Sequence, residues 1–487
     1  MSVIGIDLGT TNSAAATGGQ KPMVLPTRGG EQLTPSVVSF ARRRRSEEGE
    51  IVVGRQAVAN AVKAPEDTIY SIKRLMGAIY GEERVDVVRG HVNYAICPPP
   101  PDSEAEQGVK VMLGGKAYSP TEISAMILSQ VKADAEMALS ETITHAVITV
   151  PAYFRERQRA ATAEAGEMAG LKVLKIIDEP TAAALAFGAG REHERHRVLV
   201  YDLGGGTFDI SIIQMVGGQY QVLEIQGDNW LGGDDFDATI VQRMVDWVKG
   251  EYDYDPSGDP SFRAKAKEEA QKAKIALSTQ RVVEIFAPLF VRIPDVGLVD
   301  LDMQVTLEEF EADIAAKVIG SAVDPEVVGT MDLVHTALRK QNLTPDDITE
   351  VLLVGGSTAV PLVQRSVIEV FGEGKVRRHI NPMECVALGA AIMAEGLPLD
   401  EEQARDEGEE PRGPVLVDVT PMDLGIAAVK GTNPDAFVPI IPKGTPYPLR
   451  EPKRRPFRPA EDNQSFIRVP VYEGLNELAS LNELQGV

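Results

Sequence analysis

Short apolar runs, each closed by an acid or a proline and then a turn, recur along most of this chain. Residues 3–8 form one such strand-like run, which carries Asp7 and feeds into Gly9, Thr10, Thr11 and Asn12. Residues 198–203 repeat the order of apolar strand, Asp202, leucine and glycine-rich turn, here Gly204, Gly205, Gly206 and Thr207. β-Prone stretches follow both turns, at 13–17 and 208–214, so each copy reads as a glycine-turned hairpin. A unit met twice about 195 residues apart predicts two like halves. Further strands are expected at 146–150, closed by Pro151, at 175–177 and at 351–354. Helical spacing takes over at 155–169, 181–187, 262–277, 361–371 and 384–395. Strands alternating with helices predict α/β layers. After an acidic stretch at 399–413 the chain becomes proline- and β-rich, with strands expected at 415–419, 425–429 and 465–471. That change predicts a small second β domain.

Composition removes several function classes. A formal net charge of −23 disfavours non-specific binding to nucleic acid or to an anionic membrane. The two cysteines, Cys97 and Cys385, provide neither a disulfide framework nor a paired metal motif. The first residues place Asp7 inside the leading apolar run and have no basic stretch, so they do not read as a signal peptide. No apolar run approaches the roughly 18–20 residues that a membrane helix needs. The expectation is a cytoplasmic protein.

The glycine turns carry the candidate chemistry. Glycine lets backbone N–H groups close on an anion, and Thr10, Thr11 and Thr207 add hydroxyl donors. Asp7 and Asp202 end their strands, where they can hold Mg²⁺ directly or through its waters. A third glycine pair, Gly355 and Gly356, follows the 351–354 run. The chain has neither a P-loop motif nor the glycine fingerprint of a dinucleotide fold. The two hairpin turns could each grip the oxygens of a phosphate.

Together these residues resemble the DnaK-type heat-shock chaperones. The likeness lies in Val3-Ile-Gly-Ile-Asp-Leu-Gly-Thr-Thr-Asn-Ser13, Val150-Pro-Ala-Tyr-Phe154, Asp178-Glu-Pro-Thr-Ala-Ala-Ala-Leu-Ala-Phe-Gly188 and Val200-Tyr-Asp-Leu-Gly-Gly-Gly-Thr-Phe-Asp-Ile-Ser211. It continues in Leu231-Gly-Gly-Asp-Asp-Phe-Asp237 and Val415-Leu-Val-Asp-Val-Thr-Pro-Met-Asp-Leu-Gly425, and reaches about Val471. The resemblance implies an α/β fold with an actin-like, two-lobed ATPase domain of duplicated ribonuclease-H-like halves over 1–398. Lobe I would span about 1–188 and lobe II about 189–398. An acidic then apolar linker at 399–418 and a truncated β-sandwich at 419–487, without a helical lid, would follow.

The resemblance also implies roles. Asp7 and Asp202 would organise Mg²⁺, with K⁺ as a further cation. Gly9, Thr10, Thr11, Asn12 and Gly204 to Thr207 would contact the phosphates of ATP or ADP, and Lys73 would align the terminal phosphate. Glu179, Thr207 and Asp209 would position the attacking water. Gly232, Gly233, Lys274, Ser278, Gly355, Gly356 and Ser357 would complete the nucleotide site. Pro151 and Arg159 would relay its state to Val415, Leu416, Val417 and Asp418, a linker that docks between the lobes when ATP is bound. The implied activity is ATP hydrolysis coupled to binding of extended hydrophobic peptides, with a J-domain co-chaperone and a nucleotide-exchange factor as partners. The alternative is a nucleotide-gated regulatory or scaffold protein of the same family that binds one protein partner and no unfolded clients.

Some positions depart from the family pattern. Gln271, Ala359 and Met383 stand where an acid, a base-stacking arginine and an aspartate are usual, which implies either weaker ATP affinity or relaxed base selectivity. Lys175 and Asp178 alter the J-domain surface. Asp253 to Gly258 mimics the start of a calcium loop, but Ala264 replaces its final glutamate, so a plain loop is expected. Arg42 to Arg45, followed by acids, and Cys97 to Gly108 read as surface loops, and Cys385 as a small core residue.

Overall fold

The two hairpins read from the sequence fold as the central strands of two separate sheets. A computed structural model describes residues 2–486 apart from 20, 43–47, 101–107, 192, 322–323, 325–326, 378–380, 400–413, 450 and 459–468. In the first sheet Ser2–Leu8 pairs antiparallel with Asn12–Thr17 and parallel with Ile143–Val150, which pairs parallel with Lys172–Asp178. In the second, Arg195–Leu203 pairs antiparallel with Phe208–Val216 and parallel with Glu350–Val354, which pairs parallel with Val376–Arg377. The same connection pattern occurs twice, as the repeat predicts.

Strand alternation distributes each sheet's faces between cores. Leu199, Tyr201 and Leu203 enter the core of the second half, while Val198 and Val200 enter a cluster shared with Val147 of the first sheet. Two alanine-rich helices, Glu179–Gly188 and Cys385–Glu395, supply the middle of that shared cluster. They approach so closely that a Cβ on Gly389 would lie 1.7 Å from the carbonyl oxygen of Ala182. Small side chains at the crossing are what let the two helices pack this closely. Cys385 is buried there, as expected.

Several elements lie outside the stretches assigned from sequence. Pro120–Leu139 starts with Ser119 and Glu122 in a reciprocal capping box, a signal present in the residues. Gly233–Tyr252, Leu307–Ile319 and Thr330–Lys340 are further helices, and Val282–Ile293 with Gly297–Thr306 makes a separate hairpin. Asp255 caps a short turn and pairs with Lys249, so the calcium-loop mimic is a loop.

The C-terminal region contributes, among the described residues, one four-stranded sheet in the order Asn433–Ile441, Asp423–Lys430, Val471–Gly474, Glu483–Gly486. The strand expected at 465–471 falls largely outside the described residues, as do the acidic stretch beyond 399 and most of the loops at 42–45 and 97–108. Val415–Val419 is not a free linker: it extends the second sheet, parallel to Gln219–Asp228, with Tyr220 opposite Leu416. Docking does not bury all three apolar side chains of this strand. Leu416 is buried and Val415 is 53% exposed, because neighbouring strand residues face opposite sides.

Candidate functional site

The hairpin geometry places Asp7 and Asp202 at equivalent positions, one residue before the ends of their strands, opposite Ala14 and Asp209. The turns that follow meet each other. A Cβ on Gly205 would lie 1.8 Å from Thr11 Oγ1, and one on Gly206 would lie 2.7 Å from Thr10 Cγ2. Between the turns is a cleft lined by Asp7, Gly9, Thr10, Thr11, Asn12, Lys73, Glu179, Asp202, Gly204, Gly205, Thr207, Gly355 and Gly356. Leu33, Val354, Pro382, Met383 and Val386 give the same cleft an apolar stretch.

The contact at Gly205 makes a prediction. Gly205→Ala drives a methyl into Thr11 and lowers nucleotide affinity by about ten-fold or more, a cost of roughly 1.4 kcal/mol. Gly204→Ala is the control, since its Cβ would meet only Thr207 O at 3.6 Å. Calorimetric titration of both variants checks the difference.

Lys73 sits in the short turn Ile72–Leu75 and forms a buried ion pair with Glu179. Three more carboxylates surround this single cation. Burial, reinforced by the Glu179 charge, pushes Asp7 up to about 7 and raises Asp202 and Asp209 well above the usual carboxylate range. Thr149 Oγ1 donates to Asp7 Oδ1 at 3.3 Å. Asp209 Oδ1 and Thr11 Oγ1 are buried without a hydrogen-bond partner. Among the described residues, no cluster of three acids, histidines or cysteines converges tightly enough to hold a metal by itself. Two hard carboxylates with room for water and phosphate oxygens are the usual Mg²⁺ donor set, so the residues fit that ion.

Several predicted site residues lie behind the cleft rather than in its lining. Gly232 packs under the turn, where its Cβ would be 2.5 Å from Gly206 N, and Gly233 N donates to Gly204 O at 2.9 Å. Ser357 Oγ donates to the same Gly204 oxygen at 2.8 Å. Lys274 Nζ donates to Gly233 O at 2.9 Å and pairs with Asp237 at 2.8 Å, while Ser278 donates back to Lys274 O at 3.4 Å. These groups shape the turn, with their polar atoms already engaged. Gly206 and Asp209 also stand off the lining. Of the departing positions, Met383 lines the cleft, Ala359 is exposed, and Gln271 lines a neighbouring cavity that shares Thr10 and Thr11.

Sequence reasoning missed Arg74. It is buried, donates to Gly206 O at 3.0 Å and pairs with Asp235 at 3.1 Å, while neighbouring Ser71 donates to Asp234 at 2.8 Å. These bonds tie the Lys73 turn to the opposite half. Neither the Lys73-Arg74 pair nor the Asp234-Asp235 pair announces its partner by spacing.

The proposed relay residues form a second buried cluster. Pro151 O accepts from Phe154 N at 3.0 Å, and Arg159 Nε donates to Phe154 O at 3.0 Å. Arg159 also pairs with Asp178, next to Glu179 in sequence. Asp178 is therefore occupied and buried, which corrects its expected place on an open partner surface. Asp418 completes the cluster by accepting from Thr181 at 3.2 Å. Burial raises Asp418 and, despite Arg159, lifts Asp178 to about 7.

Comparison with known proteins points in one direction. A family model described as Hsp70 protein matches residues 3–487. The "Chaperone protein DnaK" of Mycoplasmopsis pulmonis is 42% identical over 485 residues, covering 99% of this chain and 70% of that protein. The protein of the same description from Thermotoga neapolitana is 42% identical over 488 residues, covering 99% of this chain and 72% of that protein.

Proposed function

Starting from the fact that the chain belongs to the Hsp70 family, we propose that it is a chaperone whose ATP hydrolysis drives binding and release of extended hydrophobic peptides. Membership makes the chain an ATPase, and the observation that carries the reading is the face-to-face meeting of the two glycine turns around Lys73. The turns at 9–12 and 204–207 grip the phosphates through backbone N–H groups and threonine hydroxyls. Lys73 offsets charge at the terminal phosphate, and Glu179, Thr207 and Asp209 orient the water. Asp7 and Asp202 would hold Mg²⁺, which when bound neutralises phosphate charge. Positioning and charge stabilisation suffice for phosphoryl transfer, which asks little covalent chemistry of the protein.

The apolar part of the cleft, with Met383 and Pro382, takes the base. Among the described residues of this stretch, Leu33, Val354, Pro382, Met383 and Val386, no polar side chain reads a base edge, so ATP and GTP bind within about ten-fold of each other, a gap of roughly 1.4 kcal/mol. Parallel calorimetric titrations with the two nucleotides check this, and a hundred-fold preference for ATP would refute it.

Peptide binding is assigned to the β region, where Val429, Leu475 and Leu481 are 63%, 58% and 62% exposed. A fluorescent apolar peptide is expected to bind more tightly with ADP than with ATP. Absence of binding with either nucleotide would remove the chaperone half and leave the ATPase. The scaffold alternative gains no support from the comparisons. Polypeptide substrates and co-chaperones are the proposed partners, and the cytoplasm the proposed compartment. Among the described residues no helix is long and apolar enough to cross a membrane.

A further inference from the structure

A second cavity lies behind the phosphate end of the cleft, with Lys73 and Thr207 as the wall between the two. That cavity passes Phe154, Asn229 and Trp230 and ends where Arg155 and Arg157 meet residues 480–484 of the β region. It encloses about 1900 Å³ counting its mouth, against roughly 30 Å³ per molecule of liquid water. That volume is enough to hold a phosphate ion with part of its hydration shell.

The mouth is built from one acid held by two cations. Glu483 lies 3.0 Å from Arg155 Nη1 and 3.2 Å from Arg157 Nε, and its side chain is 8% exposed. Arg157 Nη2 also donates to Leu484 O at 2.8 Å, while its Nη1 is buried without a hydrogen-bond partner. Farther in, Arg74 is committed to Gly206 O and Asp235, and Arg84 to Glu82 and Gly77 O. Arg155 and Arg157 are thus the cations whose partner belongs to the docked β region.

The reading of the cleft given above sets the problem these residues solve. A nucleotide seated with its base at the apolar end has its terminal phosphate beside Lys73 and Thr207. After hydrolysis the diphosphate stands between that phosphate and the cleft entrance. Product phosphate then leaves after ADP, or through another door.

We propose that the cavity from Lys73 to Arg155 and Arg157 is the exit path for inorganic phosphate, and that Glu483 of the β region is its gate. While the β region is docked, Glu483 neutralises both guanidiniums and fills the mouth. Undocking frees two cations at the mouth and opens the way to solvent. Phosphate release is thereby tied to the position of the β region, downstream of bond cleavage.

Single-turnover experiments on the full chain separate the steps, with acid quench reporting cleavage and a fluorescent phosphate-binding sensor reporting release. Glu483→Ala is expected to speed release about ten-fold without changing cleavage. Asn229→Asp, nearly isosteric, places a carboxylate in the path of the dianion and is expected to slow release about ten-fold. Combining Glu483→Arg with Arg157→Glu rebuilds the pair with reversed charge and returns release toward the parent rate. A second measurement needs no turnover: association of inorganic phosphate with the ADP-loaded chain, followed by Trp230 fluorescence in a Trp247→Phe background. Its rate is expected to rise in Glu483→Ala and fall in Asn229→Asp. Unchanged rates for both variants in either measurement overturn the exit path. A parent chain that fails to cleave ATP overturns the ATPase reading instead, and phosphate association then decides the path alone.

Discussion

Lys73→Ala lowers ATP turnover on the order of 10³-fold, the scale of losing one preorganised charge donor at a reacting phosphate. The variant also melts earlier. Lys73 and Glu179 are both nearly fully buried, and breaking a buried pair by removing one partner costs about 3–5 kcal/mol because the remaining charge has no counterion. Adding Glu179→Gln to Lys73→Ala restores most of the melting temperature and none of the turnover, since the double variant removes both members of the buried pair and supplies no cation. Calorimetry and a phosphate-release assay on the same samples measure the two effects separately. Thr207→Ala serves as the comparison, with the fold retained and turnover lost. Turnover near the parent rate in both variants would move the catalytic centre elsewhere.

The second large effect concerns the docked strand Val415–Val419. Arg159 is the cation beside Asp178 and Asp418, with Tyr447 and Lys175 also within electrostatic reach of the cluster. Arg159→Ala leaves two buried carboxylates facing each other and is expected to cost about 3–5 kcal/mol, largely as undocking of the strand. The intact cluster makes docking pH-dependent. Asp178, raised to about 7 chiefly by burial and further by Asp418, holds its proton more tightly when docked than when Asp418 has left. Asp418 is likewise raised by burial and returns to the ordinary carboxylate range, near about 4, when the strand is free. The docked state therefore binds more protons, and docking weakens as pH rises from the ordinary carboxylate range to about 7, then levels off. The slope per proton is at most about 1.4 kcal/mol per pH unit. Hydrogen exchange at the Leu416 and Val417 amides, corrected for intrinsic rates, follows this directly. Asp418→Asn keeps an acceptor for Thr181 and removes most of the slope. An unchanged slope in that variant would assign the titration to another group.

Much of the site was legible because the chemistry repeats. Asp7 and Asp202, each followed by a glycine-threonine turn, declare two copies of one hairpin, and the sheets place them at matching register positions. The strand expected at 146–150, which begins at Ile143 in the fold, and the alanine-rich helix behind Glu179 were visible for a similar reason, since apolar runs closed by proline or glycine report local structure. Arg74 was not legible, because its partners Gly206 and Asp235 are more than a hundred residues away and no period in the chain links them. Lys274 misled for the opposite reason: its position in a motif suggested a free donor, but folding brought Asp237 within 2.8 Å of it. The same holds for Asp178, whose burial beside Arg159 no local pattern encodes.

The sequence by itself determined the duplicated α/β halves and the two glycine turns, because strand alternation and glycine backbone freedom act over a few residues, whereas Lys73 was named only through the resemblance. Only the tertiary structure decided that Gly205 closes on Thr11, that Leu416 alone of the apolar linker trio is buried, and that Glu483 reaches Arg155 and Arg157. Those pairings depend on which distant surfaces exclude water together, and burial of that kind is a property of the folded chain rather than of any stretch within it.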